Sequence, residues 1–447
     1  MPTAPTIRSP LSAAVRLASA LMLAALAACG EPAPRDHESV APSAASVLAA
    51  HEEPVIAVND LSGWTEVDGR AAGDATHGKA LVARYECNRC HAGTGEAAPT
   101  FDRQCVHCHQ MIAAGTLPFS REKLPAWRAA TRHYITTPSL ADVGRTLRPS
   151  WVASFLREPV KIRPHEEEWM PRLKISESDA RDLAAYLTRG AEPPRETTIG
   201  GDALRGKEIV ARKGCFVCHE LTGAARAAVA MEMPAVTPDA LARAMSQAPD
   251  LRLARERFRP DMITQWIQDP QSIRPGTDMP KLGLTQQEAR DAAAYILSTP
   301  LSPPAPVPPV TRLPLLERRV TYEEVATRVL RTSCTHCHSA PGTGGDPGPG
   351  SVGGFGFAPR GVQLSSYEGT QLGYLGEDKA RHSLLTHEPA LERWGGARLV
   401  AALVARHEET SGRPVAGVRG MPMGLPGLPL EDIQLVETWV AQGARSE

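Results

Sequence analysis

Apolar residues recur at helical spacing in several stretches of this 447-residue chain. Trp151 and Phe155 lie four residues apart, as do Met262 and Trp266, so each pair would share one face of a helix. A proline follows each stretch and should end the helix there. These prolines are Pro159 and Pro270. The pattern therefore predicts two short amphipathic helices with defined ends.

The same pattern occurs twice, which indicates an internal repeat. The stretch GKALVARYECNRCH (78–91) matches GKEIVARKGCFVCH (206–219), and residues 147–187 match residues 258–296. Each copy predicts a first helix that leads into a cysteine motif, a middle helix, a loop that ends in Met-Pro, and a closing helix. Ser176 and Thr285 stand where the closing helices should have their N-caps, with acidic residues following.

Two segments without sustained periodicity separate the predicted domains. Residues 29–73 are rich in Ala, Pro, Glu and Ser and are expected to form a flexible tether. Residues 300–314 are Pro-dense and are expected to form an extended, semi-stiff linker. Within the C-terminal part a Gly-rich stretch (340–357) predicts a long loop. The resulting domains are residues 74–192, 193–299 and 315–447.

The N-terminus has the features of a secretory signal peptide over residues 1–28. Arg8 and Arg16 precede an apolar run that is too short to span a membrane. The run ends in Leu-Ala-Ala-Cys, which resembles a bacterial lipoprotein cleavage box and predicts lipidation of Cys29. Ordinary cleavage nearby is the alternative. Lipidation would anchor the chain to a membrane without spanning it.

The nine cysteines indicate the chemistry most directly. Eight of them form four C-x-x-C-H sets, and Cys29 is the ninth. A single set can belong to a zinc site or a redox dithiol, but four sets that each end in His favour covalent haem attachment. The two thiols would bind the haem as thioethers, and the His would be the proximal iron ligand. The sets are Cys87, Cys90 and His91; Cys105, Cys108 and His109; Cys215, Cys218 and His219; Cys334, Cys337 and His338.

With these motifs, each repeat copy resembles a class I cytochrome c domain. That family is all-α, and its haem iron is held between a His and a Met. Residues 74–192 would hold two haems and residues 193–299 one, whereas residues 315–447 resemble the family more loosely and would hold the fourth. The predicted fold is therefore all-α, with three cytochrome c-like haem domains in tandem, joined by Pro-rich linkers.

The matched loops supply candidates for the distal iron ligands. Met170 and Met279 each precede a proline at equivalent places and are expected to bind the Cys87 and Cys215 irons, although a Met can also be core filler. Met421 is the candidate for the Cys334 iron. Its alternatives are Met423, His382, His387 and His407. An Arg-Pro pair precedes each loop Met, and Arg163 and Arg274 could bind haem propionates or could simply be solvated charges.

The second motif lies close behind the first and needs a ligand of its own. Nearly the same number of residues separates His109 from Pro138 as separates His219 from Pro249. This spacing predicts an insertion of about one motif length, with two haems in one enlarged domain. Of the extra histidines there, His133 lies on a predicted helix and is expected to bind the Cys105 iron. The others are His77 and His165.

Composition limits the remaining choices of function. A net charge of −1 gives no reason to expect nucleic acid as a partner. The predicted function is a tetrahaem c-type cytochrome with four covalent haem c groups. It would carry electrons between redox proteins or a respiratory complex on the periplasmic side of a bacterial membrane, with Gly30 slightly favouring the outer membrane. The alternative is a haem enzyme, a peroxidase or small-oxide reductase, or its electron-delivering subunit, and a haem-based sensor is a third class. Either would need an iron with an open position.

Overall fold

The structure is a computed structural model of the chain. It describes residues 55–57, 73–118, 121–131, 133–141, 143–166, 169–190, 198–224, 236–340 and 353–447. The predicted signal peptide, Cys29 and nearly all of the predicted tether lie outside these residues, as does most of the Gly-rich stretch. Within the described ranges, no helix combines the length and the apolar character that a membrane span requires.

The first repeat copy is built on two crossing helices. Asp74 caps the first helix by accepting hydrogen bonds from the Thr76 and His77 amides, and Ser176 caps the closing helix as predicted. The middle helix ends just before Pro159, and its Trp151 and Phe155 rings stack at 4.8 Å. The elements are α1 Ala75–Arg84, α2 Cys105–Ala114, α3 Leu124–Ala130, α4 Val143–Thr146, α5 Pro149–Arg157 and α6 Glu177–Leu187. The closing helix α6 packs on both α1 and α5.

The second copy repeats this plan. Asp202 caps the first helix, and Thr285 forms a capping box with Glu288 at the closing helix. The elements are α7 Ala203–Arg212, α8 Cys215–Cys218, α9 Pro238–Gln247, α10 Ala254–Arg257, α11 Pro260–Gln268, α12 Pro270–Ile273 and α13 Gln286–Ser298. Helices α7 and α13 cross as α1 and α6 do, and α11 packs on α13. Sequence periodicity and caps therefore predicted this arrangement correctly.

A glycine allows each pair of helices to cross closely. A Cβ atom on Gly78 would lie 2.0 Å from the Asp182 carbonyl oxygen, and one on Gly206 would lie 1.9 Å from the Asp291 carbonyl oxygen. Real Cβ atoms do not approach so closely, so only glycine fits at either crossing. This explains why both copies begin their matched stretch with Gly-Lys.

The C-terminal part has its own core around the buried Trp439. Its elements are α14 Tyr322–Val325, a π-helical turn Ala326–Leu330, α15 Arg331–Ser333, α16 Tyr367–Leu372, α17 Arg398–Thr410 and α18 Leu430–Ala441. The predicted linker is extended, but it lies against this core. Within it, the Val310 amide donates to Glu408, and Arg312 pairs with Glu437.

Two small antiparallel sheets depart from the all-α expectation. The strands are β1 Val55–Ala57 and β2 Thr198–Gly200, which pair with each other, and β3 Tyr374–Leu375 and β4 Arg381–His382, which form the second pair. In the first sheet Ile56 lies opposite Ile199. Strand β1 lies within the predicted tether, and its β-branched Val and Ile favour an extended chain. Residues 29–73 are therefore not a tether throughout.

The two copies meet at a seam that has approximate two-fold symmetry. Leu147 and Phe258, which occupy equivalent places in the repeat, form an antiparallel bridge. The Arg148 amide donates to the Arg257 carbonyl at 3.0 Å, and the Arg259 amide donates to the Thr146 carbonyl at 2.9 Å. Each copy thus makes the same backbone bond to the other, which fixes their relative placement.

The C-terminal part packs against the first copy. The Tyr134 hydroxyl donates to the Met423 carbonyl at 2.8 Å, and the Trp169 amide donates to the Gly424 carbonyl at 3.1 Å. Phe355 lies under the Arg89 guanidinium, which is 4.5 Å from its ring centroid. Residues 53–447 accordingly form one compact unit.

Candidate functional site

Each C-x-x-C-H set forms a tight helical turn. In three sets the amide of the histidine donates to the carbonyl of the first cysteine at 2.9 Å. These pairs are His91 with Cys87, His219 with Cys215, and His338 with Cys334. The second set instead opens helix α2. Residues three and four apart lie on one helical face, so both thiols and the imidazole of a set can meet the same ligand.

The imidazoles of three sets are oriented by backbone carbonyls. Nδ1 of His91 lies 2.7 Å from the Pro138 oxygen, and Nδ1 of His219 lies 2.8 Å from the Pro249 oxygen. A carbonyl can only accept, so Nδ1 carries the hydrogen and Nε2 keeps its lone pair. Burial lowers the pKa of His91 and of His219, which favours the neutral, ligating form. The donor set therefore fits a haem iron.

The orienting carbonyl of the second set lies closer along the chain than that of the first set. Nδ1 of His109 lies 2.8 Å from the oxygen of His133, whereas Pro138 belongs to His91. The similar spacing of His109 to Pro138 and His219 to Pro249 is therefore a coincidence of length. The first set is the true equivalent of the third. The second set and helix α3 lie in a stretch inserted between His91 and its carbonyl.

The fourth set lacks this arrangement among the residues that the structure describes. Nδ1 of His338 is buried and has no hydrogen-bond partner there. Burial again lowers the pKa of His338. This set therefore also offers a neutral imidazole, but no carbonyl in the described part of the chain orients its ring.

The cysteines of the four sets form no disulfides, and most of them are half-buried. Burial raises the pKa of Cys87 and Cys215 to about 11 and that of Cys334 to about 12. These thiols stay protonated and lie in apolar surroundings, which suits a large and mostly apolar ligand.

The first and second sets are in direct contact through their thiols. Cys90 and Cys105 share a hydrogen bond. This bond, together with the nearby Arg89 cation, lowers the pKa of Cys105 to about 6, whereas the same bond and burial raise the pKa of Cys90. Burial and, to a smaller extent, the charge of Cys105 raise the pKa of Cys337 in the fourth set to about 11. Three of the four sets therefore converge in one region of the molecule.

The predicted methionine ligands lie in different surroundings. The Trp266 indole donates a hydrogen bond to Sδ of Met279 at 3.0 Å. Met170 is half-buried against the core of the first copy. Met421 packs against the core of the C-terminal part, and its amide donates to the Ala402 carbonyl. Ligation by these three sulfurs stays a prediction.

The three histidines that are alternative ligands for the fourth iron already have polar partners. Nε2 of His382 lies 3.0 Å from Asp378, and Nε2 of His407 lies 2.8 Å from the Leu428 carbonyl. His387 pairs with Glu392. Met423 offers its carbonyl to Tyr134. That contact does not involve the Met423 sulfur, so ligation of this iron by Met421, or by Met423 as its alternative, stays a prediction.

The histidines of the enlarged copy are likewise engaged. His77 bonds to Asp182 at 2.7 Å, and His165 lies 3.9 Å from Glu220. His133 contributes its backbone oxygen to His109, so its main chain lies behind that ring, on the side away from an iron at Nε2. Ligation of the Cys105 iron by the His133 ring stays a prediction.

Three arginines gather at the seam between the two copies. Arg163 and Arg274 approach Arg257, and burial together with these two cations lowers the pKa of Arg257 to about 9. The Arg257 guanidinium lies 5.5 Å from the Trp151 ring centroid, and its Nε atom is buried without a partner in the described part. A concentration of cations with an unsatisfied donor fits the carboxylates of haem propionates.

Sequence reasoning missed several of these groups. Arg257 belongs to no motif, and a backbone acceptor such as the His133 oxygen has no sequence signature, because every residue carries a carbonyl. The indole of Trp266 was assigned only to a helix face. Its spacing from Met279 could have suggested the sulfur contact.

Comparison with known proteins places one part of the chain in a family. Residues 203–300 match the family described as Cytochrome c. No curated protein and no solved structure matches the chain. The matched segment is the second repeat copy, with the Cys215 set and Met279. The chain therefore contains a cytochrome c domain, which implies covalently bound haem c and haem-based electron transfer.

Proposed function

We propose that the chain is a tetrahaem c-type cytochrome that carries electrons between redox partners outside the cytoplasm. The observation that carries the proposal is the convergence of three C-x-x-C-H sets, through the Cys90–Cys105 contact and the proximity of Cys337. Haems attached to these sulfurs would lie close together. Close packing favours rapid electron exchange between cofactors, which is what a carrier needs.

The chain's own residues have three roles in this proposal. The cysteines of each set hold a haem through thioethers, and the adjacent His binds its iron. The carbonyls of Pro138, Pro249 and His133 orient three of these imidazoles. The seam arginines, Arg257 above all, balance the propionate charges. When bound, the haem supplies reversible one-electron chemistry at iron.

The location follows from the N-terminal sequence. A signal peptide over residues 1–28 and lipidation of Cys29 would hold the haem domains on the periplasmic side of a bacterial membrane. Strand β1 begins at Val55, C-terminal to Cys29 in the sequence. Such an anchored carrier would exchange electrons with redox proteins or a membrane-bound respiratory complex.

The haem count tests the proposal directly. Mass spectrometry of the denatured, fully matured protein should show four covalent haem additions. A variant with Cys105→Ser and Cys108→Ser should show three, and the wild type serves as its control. Three additions in the wild type would contradict the tetrahaem proposal. A high-spin haem in the intact wild type would favour the enzyme alternative.

A further inference from the structure

One histidine from the C-terminal part approaches the second set. His336 lies between Cys334 and Cys337 of the fourth set. Its ring centroid is 6.2 Å from that of His109, and the two ring planes differ by 43°. The proximal ligand of one haem site thus has an imidazole from another set beside it.

This separation matches two imidazoles that share one metal ion. An imidazole nitrogen binds a metal at about 2.0 Å, and the ring centre lies about 1.1 Å behind that nitrogen. Two imidazoles on opposite sides of one ion therefore have centroids about 6.2 Å apart. A tilted aromatic pair can have the same spacing, so an experiment must separate the two cases.

Two contacts dock the C-terminal part beside the second set. Tyr134, next to His133, donates its hydroxyl to the Met423 carbonyl, and its ring centroid is 6.3 Å from His109. On the other flank, the Phe355 amide donates to Glu86 at 3.2 Å. The docking of the C-terminal part thus carries the fourth set to the second, as the effect of Cys105 on Cys337 also indicates.

We propose that His336 is the sixth ligand of the Cys105 haem iron, opposite His109. This inference rests on the proposed function, because it requires a haem at the second set. His133 is badly placed to be this ligand, because its main chain lies behind the His109 ring, on the side away from the iron. His336 does not have this problem. Ligation by His336 also makes the coordination of one iron depend on the docking of the C-terminal part.

The sequence offers a matched control. His107 lies between the cysteines of the second set, just as His336 lies between those of the fourth, and both side chains are exposed. In the matured full-length protein, His336→Ala should convert one of the four haems from low-spin to high-spin and open it to carbon monoxide. His107→Ala should leave all four haems unchanged. Resonance Raman spin-state bands and carbon monoxide difference spectra give the readout.

The outcomes are distinguishable. If His336→Ala keeps four haems with wild-type spin states, the inference is overturned, and His133→Ala then tests the other candidate. If the His336→Ala variant does not mature with its haems, the His336→Met variant tests the inference in its place. It should restore a low-spin iron with a higher potential, because thioether replaces imidazole, and an unchanged potential overturns the inference. Absence of haem at the second set in the wild type would instead refute the proposed function.

Discussion

Met279 illustrates how one side chain can set the properties of a haem site. Its sulfur accepts a hydrogen bond from the Trp266 indole at 3.0 Å. A thioether sulfur has a second lone pair, so this bond is compatible with iron ligation. Thioether ligation stabilises Fe(II) relative to ligation by a second imidazole and so raises the potential.

Met279→His should therefore lower the midpoint potential of the Cys215 haem while keeping it low-spin. The sulfur-to-iron charge-transfer band in the oxidised near-infrared spectrum should weaken. Met262, which is 5% exposed in the same copy, provides the control, and Met262→Leu should change neither property. An unaltered band and potential in Met279→His would assign Met279 to packing.

At the residue scale, the sequence indicates which residues could attach haem covalently. It does not indicate which groups accept hydrogen bonds from them. The four C-x-x-C-H sets could be predicted because haem attachment requires fixed residues at fixed spacing. The carbonyl of His133 could not be assigned to His109, because backbone acceptors do not depend on side-chain type. For the same reason the sequence did not indicate that the Pro138 carbonyl bonds to His91.

At the element scale, the two copies share a helix crossing that requires glycine. A Cβ on Gly206 would collide with the Asp291 carbonyl and would also lie 2.9 Å from Cβ of Tyr295. Backbone atoms cannot yield as a flexible side-chain tip can. The first and closing helices would have to separate to accept any larger residue.

Gly206→Ala should lower the free energy of unfolding by about 1–3 kcal/mol, the usual cost of overpacking. Gly200→Ala is the control, because its Cβ would meet only an arginine side chain at 3.9 Å. Thermal melts followed by circular dichroism would compare the two. Equal stability of both variants would show that the crossing can relax.

Helix ends were predicted well because their signals are local. Caps at Ser176 and Thr285 and stops before Pro159 and Pro270 follow from backbone hydrogen bonding within one turn. Strand β1 was missed because three residues are too few for a periodic pattern. Its existence depends on a partner strand far along the chain.

At the scale of the whole molecule, the seam places positive charge between the two copies. Folding lowers the pKa of Arg257 from its usual 12.5 to about 9, so burial of this cation destabilises the haem-free chain at neutral pH. That cost falls as the pH rises above about 9. Bound propionates would remove it at neutral pH by pairing with the guanidinium.

Arg257→Gln should lower the midpoint potential of at least one haem in the first two copies, because loss of a nearby positive charge favours Fe(III). Arg243→Gln is the control, since Arg243 is 62% exposed and pairs with Asp278 at the surface. Potentiometric titration of the intact protein measures both variants. Equal titration curves for the wild type and Arg257→Gln would exclude a propionate role.

The sequence did not indicate how the three parts of the chain pack against one another. Periodicity shows which face of a helix is buried but not which element covers it. Phe355 packs on the first copy across a long stretch of chain, and no pattern near it indicates that partner. The helices of the two copies could therefore be predicted from the repeat, while the contacts between the three parts could not.

The pairing of His91 with Pro138 affects the order in which the sites are completed during synthesis. The carbonyl that orients His91 is 47 residues downstream, whereas the one that orients His109 is only 24 residues away. Because the chain is made from its N-terminus, His133 emerges before Pro138. The second set therefore has its orienting carbonyl available before the first set does, so the segment from Cys105 to His133 can fold while His91 still lacks its acceptor.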